Sequence, residues 1–242
     1  MNRILIYLFL IIGITTYSQE HKTLKIYYGK LFTVSTDSTR INNINESKAV
    51  NYLLDLKKSI DKVEYILTIE KDYAKFEYHE TLQDNVFNKT AITFGGGNTF
   101  FYDFKKNAIY KKGNLINDKL IKFEKDSIQW NLQNETKEID GYICYKATGK
   151  TKIYKSDSSI KKEIEYEAWY CPQFNNYCGP SEFLGLPGLV FEASQKNSTL
   201  KFYLKKIEYI ESTKEITIPK LKIISIDEEY SELNKIKKSF GL

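Results

Sequence analysis

Cysteine, histidine and clustered carboxylates are the side chains of this chain that can attack a bond, move a proton or hold a metal. The sequence has three cysteines (Cys144, Cys171 and Cys178) and two histidines (His21 and His79). Zinc needs three or four ligands drawn together, and neither histidine has a sequence neighbour that supplies them, so no metal site and no cofactor is expected. Cys144 and His79 form a nucleophile–base pair only if the fold joins them, since their one shared property is presence in the same chain. No serine sits in a Gly-x-Ser-x-Gly elbow. Gly95-Gly96-Gly97 is followed by Asn98-Thr99-Phe100, where a phosphate loop requires Lys-Ser/Thr and a helix, so the triplet reads as a hairpin tip or bulge. Glu163, Glu165 and Glu167 alternate as an acid–base cluster would, but alternation also places them on one face of a strand.

The elements that must position these groups are mostly strands. Tyrosine (19) and phenylalanine (14) are abundant, and both favour pleated structure. Period-two alternation marks strands at Leu24–Val34, Val63–Ile69, Tyr73–Tyr78, Phe100–Phe104, Ala108–Lys111, Leu120–Phe123, Ile128–Leu132, Leu200–Ile210 and Glu215–Ile218. Val50, Leu53 and Leu54 follow helical spacing within Ser47–Lys58. Ser225 with Glu228 three residues on is a capping box that opens a terminal helix to about Lys238, with Gly241 as its stop. The fold class expected is mainly antiparallel β: one large twisted sheet or half-barrel with a helix near each end, comparable at fold level to lipoprotein carriers.

One hairpin can be registered from charge and size. Folding the chain about Asp157-Ser158 sets Lys152 opposite Glu163, Lys150 opposite Glu165, Thr148 opposite Glu167, Lys146 opposite Trp169 and Cys144 opposite Cys171. The other side pairs Thr151 with Ile164, Ala147 with Ala168 and Tyr145 with Tyr170. Each pair contributes roughly 0.2–1 kcal/mol, and together they resist a one-residue slip. The three glutamates thereby acquire partners and read as a solvated sheet face.

Three of the four prolines fall at Pro172, Pro180 and Pro187, interleaved with Gly179, Gly185 and Gly188. Proline fixes φ and glycine admits positive φ, so this segment specifies a backbone path. Leu186-Pro187-Gly188-Leu189 suits a type II turn. Trp169, Tyr170, Phe174, Tyr177 and Phe183 crowd the path and are the candidate binding residues. The competing reading is that these aromatics complete the core, and exposure decides between the two.

Asn2-Arg3, the apolar run Ile4–Ile14 and the small polar Thr15–Ser18 have the order of a secretory signal peptide, with cleavage expected after Ser18. The run is about half the ~20 residues a spanning helix needs. The organisation expected is a signal peptide over 1–18 and a single β-rich domain over 19–242, exported to the periplasm or the cell surface, with no later transmembrane segment. The formal charge of +5 comes from interleaved lysines and glutamates without a basic face, which argues against nucleic acid as a partner.

Trp130, Glu135-Thr136-Lys137, Gly141-Tyr142-Ile143-Cys144-Tyr145-Lys146-Ala147, Ala168-Trp169-Tyr170-Cys171-Pro172, Gly179-Pro180 and Gly185-Leu186-Pro187-Gly188-Leu189-Val190 resemble, in order and spacing, the motifs of the GLPGLI family. The resemblance covers Trp130–Ala193, about a quarter of the chain. It implies an exported Bacteroidetes protein of antiparallel β structure and brings no catalytic residues, because the family has no established biochemical function. The family commonly has Thr or Ala at the position of Cys171, no cysteine at that of Cys178, and Ile-Pro where Phe174-Asn175 stands. Cys171 and Cys178 therefore look like an added pair, and a Cys171–Cys178 disulfide, which leaves the family-type Cys144 undisturbed, is the favoured pairing. Cys144–Cys171 is the alternative, since sequence does not fix connectivity. The function expected is a non-catalytic envelope role, binding a partner protein or an apolar ligand, with a hydrolase or thiol-dependent enzyme as the alternative.

Overall fold

A computed structural model describes residues 22–33, 44–79, 92, 97–113, 116–124, 126–154, 160–211 and 215–239. The expected signal peptide, His21, the 84–89 loop, Gly95-Gly96, the Asp157-Ser158 turn and the Gly241 stop lie outside the described residues.

Alternating apolar residues produce a single open mixed sheet of 12 strands among the described residues, in the order β12-β6-β5-β4-β3-β2-β1-β11-β10-β9-β8-β7. The strands are β1 (Lys22–Phe32), β2 (Glu64–Ile69), β3 (Tyr73–His79), β4 (Thr99–Asp103), β5 (Ala108–Lys112) and β6 (Lys119–Glu124). They continue as β7 (Gln129–Ile139), β8 (Tyr142–Tyr154), β9 (Ile160–Cys171), β10 (Leu189–Gln195), β11 (Leu200–Glu211) and β12 (Lys222–Ile224). All neighbours are antiparallel except β12, which runs parallel to β6. This is the expected mainly antiparallel sheet, joined among the described residues by the helices α1 (Ile44–Ile60) and α2 (Ile226–Ser239). The sheet stays open.

β8 and β9 pair in the register expected, Lys152 with Glu163, Lys150 with Glu165, Ala147 with Ala168 and Tyr145 with Tyr170 among them. The glutamates are ion-paired: Lys150 lies 3.0 Å from Glu163 and 2.8 Å from Glu165, and Lys196 lies 2.8 Å from Glu165. Lys150 and Lys196 hold the Glu165 carboxyl at about 2, well below the usual range. The capping box also forms, the Glu228 N–H donating to Ser225 Oγ at 3.1 Å and the Ser225 N–H to Glu228 Oε2 at 2.8 Å.

Two expectations are corrected. Residues 215–221 form no strand: Pro219 lacks an N–H, the Leu221 N–H turns back to the Pro219 carbonyl at 3.0 Å, and the segment lays Ile216, Ile218 and Leu221 against Phe101, Tyr110 and Leu120. The Leu186–Leu189 turn is tighter than type II: the Gly188 N–H donates to the Leu186 carbonyl at 2.8 Å, and Leu189 is already in the ladder opposite Cys171.

The inward face of the sheet carries the main core, built on Ile26, Tyr28, Tyr65, Leu67, Phe76 and Phe202, all buried. Tyr65 stacks on Phe76 at 5.6 Å, and Phe202 meets both rings edge-on. α2 touches β6 and β8, strands near opposite ends of the sheet order, so the sheet curls and the helix bridges its mouth.

Candidate functional site

The proline-glycine segment between β9 and β10 is tied down by side chains from three strands. The Tyr28 hydroxyl (β1) donates to the Val190 carbonyl at 2.6 Å, and the Trp130 indole N–H (β7) to the Leu184 carbonyl at 2.9 Å. The Tyr102 hydroxyl (β4) reaches the Gly179 carbonyl at 2.6 Å and lies close to that of Ser181 as well. Close approach explains two of the glycines. A Cβ on Gly179 would stand 2.4 Å from Val190 Cβ, and one on Gly188 would stand 2.3 Å from the Cys171 carbonyl oxygen. Gly185, with φ of 91°, needs the same freedom for its backbone. Pro180 is buried, and Pro187 is exposed at the tip.

Four of the five aromatic binding candidates are core. Trp169, Tyr170, Phe174 and Phe183 are buried, and only Tyr177, 47 % exposed, faces solvent. They scatter rather than form a patch. Trp169 lies under the ammonium groups of Lys137 (4.4 Å) and Lys146 (5.6 Å). Tyr170 packs beside Tyr145, Phe174 against Tyr142 and Phe191, and Phe183 against Trp130 and Tyr166. A solvent-facing aromatic loop is thus replaced by a packed plug on the sheet.

The cysteines are buried free thiols, and the Cys171–Cys178 disulfide is not formed. The reason lies in where the thiols go. The Cys144 thiol donates to the Tyr142 carbonyl at 3.8 Å and lies within electrostatic reach of Cys171 across the hairpin, while Cys178 sits within electrostatic reach of Tyr28 and Tyr102. The alternative pair, Cys144 and Cys171, is therefore the one whose thiols meet, still unbonded. Burial, then the neighbouring Cys171, pushes the Cys144 thiol up to about 12, and burial raises Cys178 strongly. Thiols held this far from ionisation are poor nucleophiles. His79 is exposed at the end of β3, six places from β8 in the strand order, and engages Glu64 in the ladder rather than Cys144. Among the described residues no group of three His, Cys, Asp or Glu side chains converges as a metal site would.

A cleft of about 470 Å³ lies between the inward sheet face, the turn at Ser181–Phe183 and α2. Its floor is apolar, with Phe100, Phe123, Ile164 and Phe202 from four strands. Ile226, Tyr230 and Leu233 form the helix wall. Ser181, Glu182 and Phe183 form the opposite rim, so Phe183 alone of the aromatic candidates lines it. Two ammonium groups enter. Lys111 is bound to Glu229 on α2, with Nζ–O distances of 2.6 and 2.7 Å. Lys30 is 7 % exposed, its Nζ 4.1 Å from the Phe202 ring centre and 5.4 Å from that of Tyr65. Burial lowers the Lys30 pKa to about 8, against the opposing pull of the Glu182 carboxylate. Burial, then Glu182, raises the Tyr166 hydroxyl at the same rim. Tyr177 lines a second, smaller cavity of about 230 Å³ with Asn175, Asn176 and Asp103.

Lys30 is the cleft residue that motif reading passes over, and its signal is positional. Leu24, Ile26 and Tyr28 alternate on one side of β1, and the next member of that series, before Phe32, is Lys30. A lysine on the buried register of a strand marks either a paired cation or a working one.

A family described as "Protein of unknown function (Porph_ging)" matches residues 150–192, which run from β8 through β9 and the proline-glycine segment into β10. That match lies inside the region carrying the GLPGLI resemblance. No curated protein matches the chain. Among solved structures, "Structure of PNGF-II in P21 space group" is similar at 16% identity and a TM-score of 0.50, over 88% of this chain and 33% of that one. "Structure of PNGF-II in C2 space group" is similar at 17% identity and a TM-score of 0.47, over 88% and 32%. The chain thus spans about a third of the length of the PNGF-II chains it matches. At such identity the first likeness is one of fold.

Proposed function

We propose that the protein is an exported cell-envelope binding protein, non-catalytic, that holds an apolar or amphipathic ligand in the cleft beneath α2. The observation that carries this reading is the cleft itself: about 470 Å³, an aromatic floor and a few polar groups at its rim. Ligand sites commonly have that volume and that mixture. The leader-like order of Asn2-Arg3, Ile4–Ile14 and Thr15–Ser18 supports export, with residues 19–242 as the working domain. Among the described residues no helix is long and apolar enough to cross a membrane. Of the buried aromatics of the proline-glycine segment, Phe183 lines the cleft.

The test is extraction and mass spectrometry of the protein purified from the envelope fraction, followed by a fluorescent apolar probe titrated into the delipidated protein. A co-purified small amphiphile, and probe binding weakened at least about tenfold by Leu233→Glu, are expected. Export predicts a purified chain that begins at Gln19. A protein that carries nothing and whose probe binding ignores Leu233→Glu would remove the reading.

A further inference from the structure

We propose that the cleft selects an uncharged amphiphile, a hydroxyl-bearing head on an apolar body in the manner of a glycerol monoester, over a fatty acid anion or an alkyl cation of the same length. This rests on the reading of the cleft as a ligand site and adds the chemistry of its occupant.

Charge balance is the first argument. The described residues that line the cleft include two lysines, Lys30 and Lys111, and two glutamates, Glu182 and Glu229, with no other charged side chain among them. Each sign meets its opposite there. Lys111 is bound to both Glu229 oxygens, at 2.6 and 2.7 Å, and the Glu182 carboxylate acts electrostatically on Lys30. Lys30 and Glu229 are each only 7% exposed, so water compensates poorly for a charge placed beside them. An ionic head entering this cleft stays uncompensated, or it takes one member of a pair and orphans the other. An uncharged head meets neither cost.

The placement of uncharged polar groups is the second argument. On the β4–β6 side the floor is Phe100 and Phe123, with Lys111 already held by Glu229. On the other side β8, β9 and β10 contribute Thr151, Tyr166 and Gln195, and none of the described lining residues from these three strands is charged. Register sets the three on one face. Gln195 stands opposite Tyr166, and Thr151 stands opposite Ile164, two places along β9 from Tyr166. Hydroxyl and amide groups both donate and accept hydrogen bonds, as a glycerol head does. The head therefore belongs on the β8–β10 side, and the apolar body over Phe100, Phe123 and Leu233.

The experiment displaces N-phenylnaphthylamine, an uncharged fluorescent probe, from the delipidated protein at about pH 7. The competitors are monolaurin, laurate and dodecyltrimethylammonium, each below its micelle concentration. Monolaurin is expected to compete at least about tenfold better than either ion. Glu182→Gln leaves one lysine in excess and should move the laurate-to-monolaurin ratio at least about tenfold towards laurate, which a merely greasy cleft would not do. Either ion competing as well as monolaurin in the wild-type protein overturns the proposal without reliance on any variant, and so does a ratio that Glu182→Gln leaves in place. Probe binding that Leu233→Glu weakens, without preference for monolaurin, defeats this inference alone. Probe binding that ignores Leu233→Glu, with no displacement by any of the three, defeats the ligand-site reading beneath it.

Discussion

Lys30 concentrates the tension between stability and function at the scale of one residue. Its inward register on β1 is shared with Leu24, Ile26, Tyr28 and Phe32, so an ammonium occupies a position where an apolar side chain would bury without penalty. Glu182 acts on it electrostatically, and of the two rings beneath it Phe202 lies nearer than Tyr65. Its folded pKa of about 8 lies below the ordinary 10.5. Between those values the unfolded chain holds a proton that the folded chain has released, so stability rises with pH across that window and levels above it. Below about 8 both states are protonated, and the burial penalty is constant, on the order of 3 kcal/mol before the ring contacts offset part of it. Lys30→Met should therefore stabilise the protein at neutral pH and flatten the rise between about pH 8 and 10.5, measured as wild type minus variant in urea unfolding. An unchanged slope would mean that burial of this amine is not what sets it. Sequence holds the clue in the β1 alternation, but says nothing of the Phe202 and Tyr65 rings that receive the ammonium. Those rings come from β11 and β2, and only the sheet order makes them neighbours.

Elements were legible where local chemistry over-determines them. The β8–β9 register follows from Lys150 and Lys152 meeting Glu165 and Glu163, because a slip by one would set charges against the apolar series of Ala147 and Ala168. The start of α2 follows from Ser225 and Glu228, whose reciprocal bonds satisfy two backbone donors. Ser225→Ala should cost about 1 kcal/mol, read as a lower urea midpoint with unchanged slope. A loss confined to the noise would show that tertiary contacts, and not the cap, fix the start of the helix. β10 escaped notice because Leu189-Val190 reads as the tail of a turn. Its pairing partner Cys171 is brought back only by the whole 172–188 excursion. The expected strand at Glu215–Ile218 shows the converse, where alternation is real but serves packing on the outer sheet face without a ladder. The aromatic cluster is visible in the sequence, but its choice between surface and core is not, since burial depends on Tyr28, Tyr102 and Trp130 reaching it from distant strands.

At the scale of the whole molecule, the cleft exists because the sheet curls without closing and α2 spans the gap. No local pattern announces this: the helix wall, the Phe123 floor and the Ser181–Phe183 rim come from the end, the middle and the proline-glycine segment of the chain. Two ion pairs hold the helix to the β5–β6 side, Lys111 with Glu229 and Lys119 with Glu232, each at 2.6 Å. The first is mostly buried, with side-chain exposures of 16% and 9%, so its loss leaves a charge where water compensates poorly. The second is more exposed and contributes less. Glu229→Gln should weaken docking of α2 by about 3 kcal/mol, because Lys111 keeps its charge and loses its partner. Hydrogen exchange should then quicken along residues 226–239 while the β8–β9 hairpin keeps its protection, and a bound apolar probe should dissociate faster. Replacing both members, Lys111→Met with Glu229→Leu, removes the orphaned charge and should restore slow exchange in the helix. If Glu229→Gln leaves exchange in α2 unchanged, apolar contacts of Ile226 and Leu233 alone hold the helix, and the cleft opens by a route that the ion pair does not control.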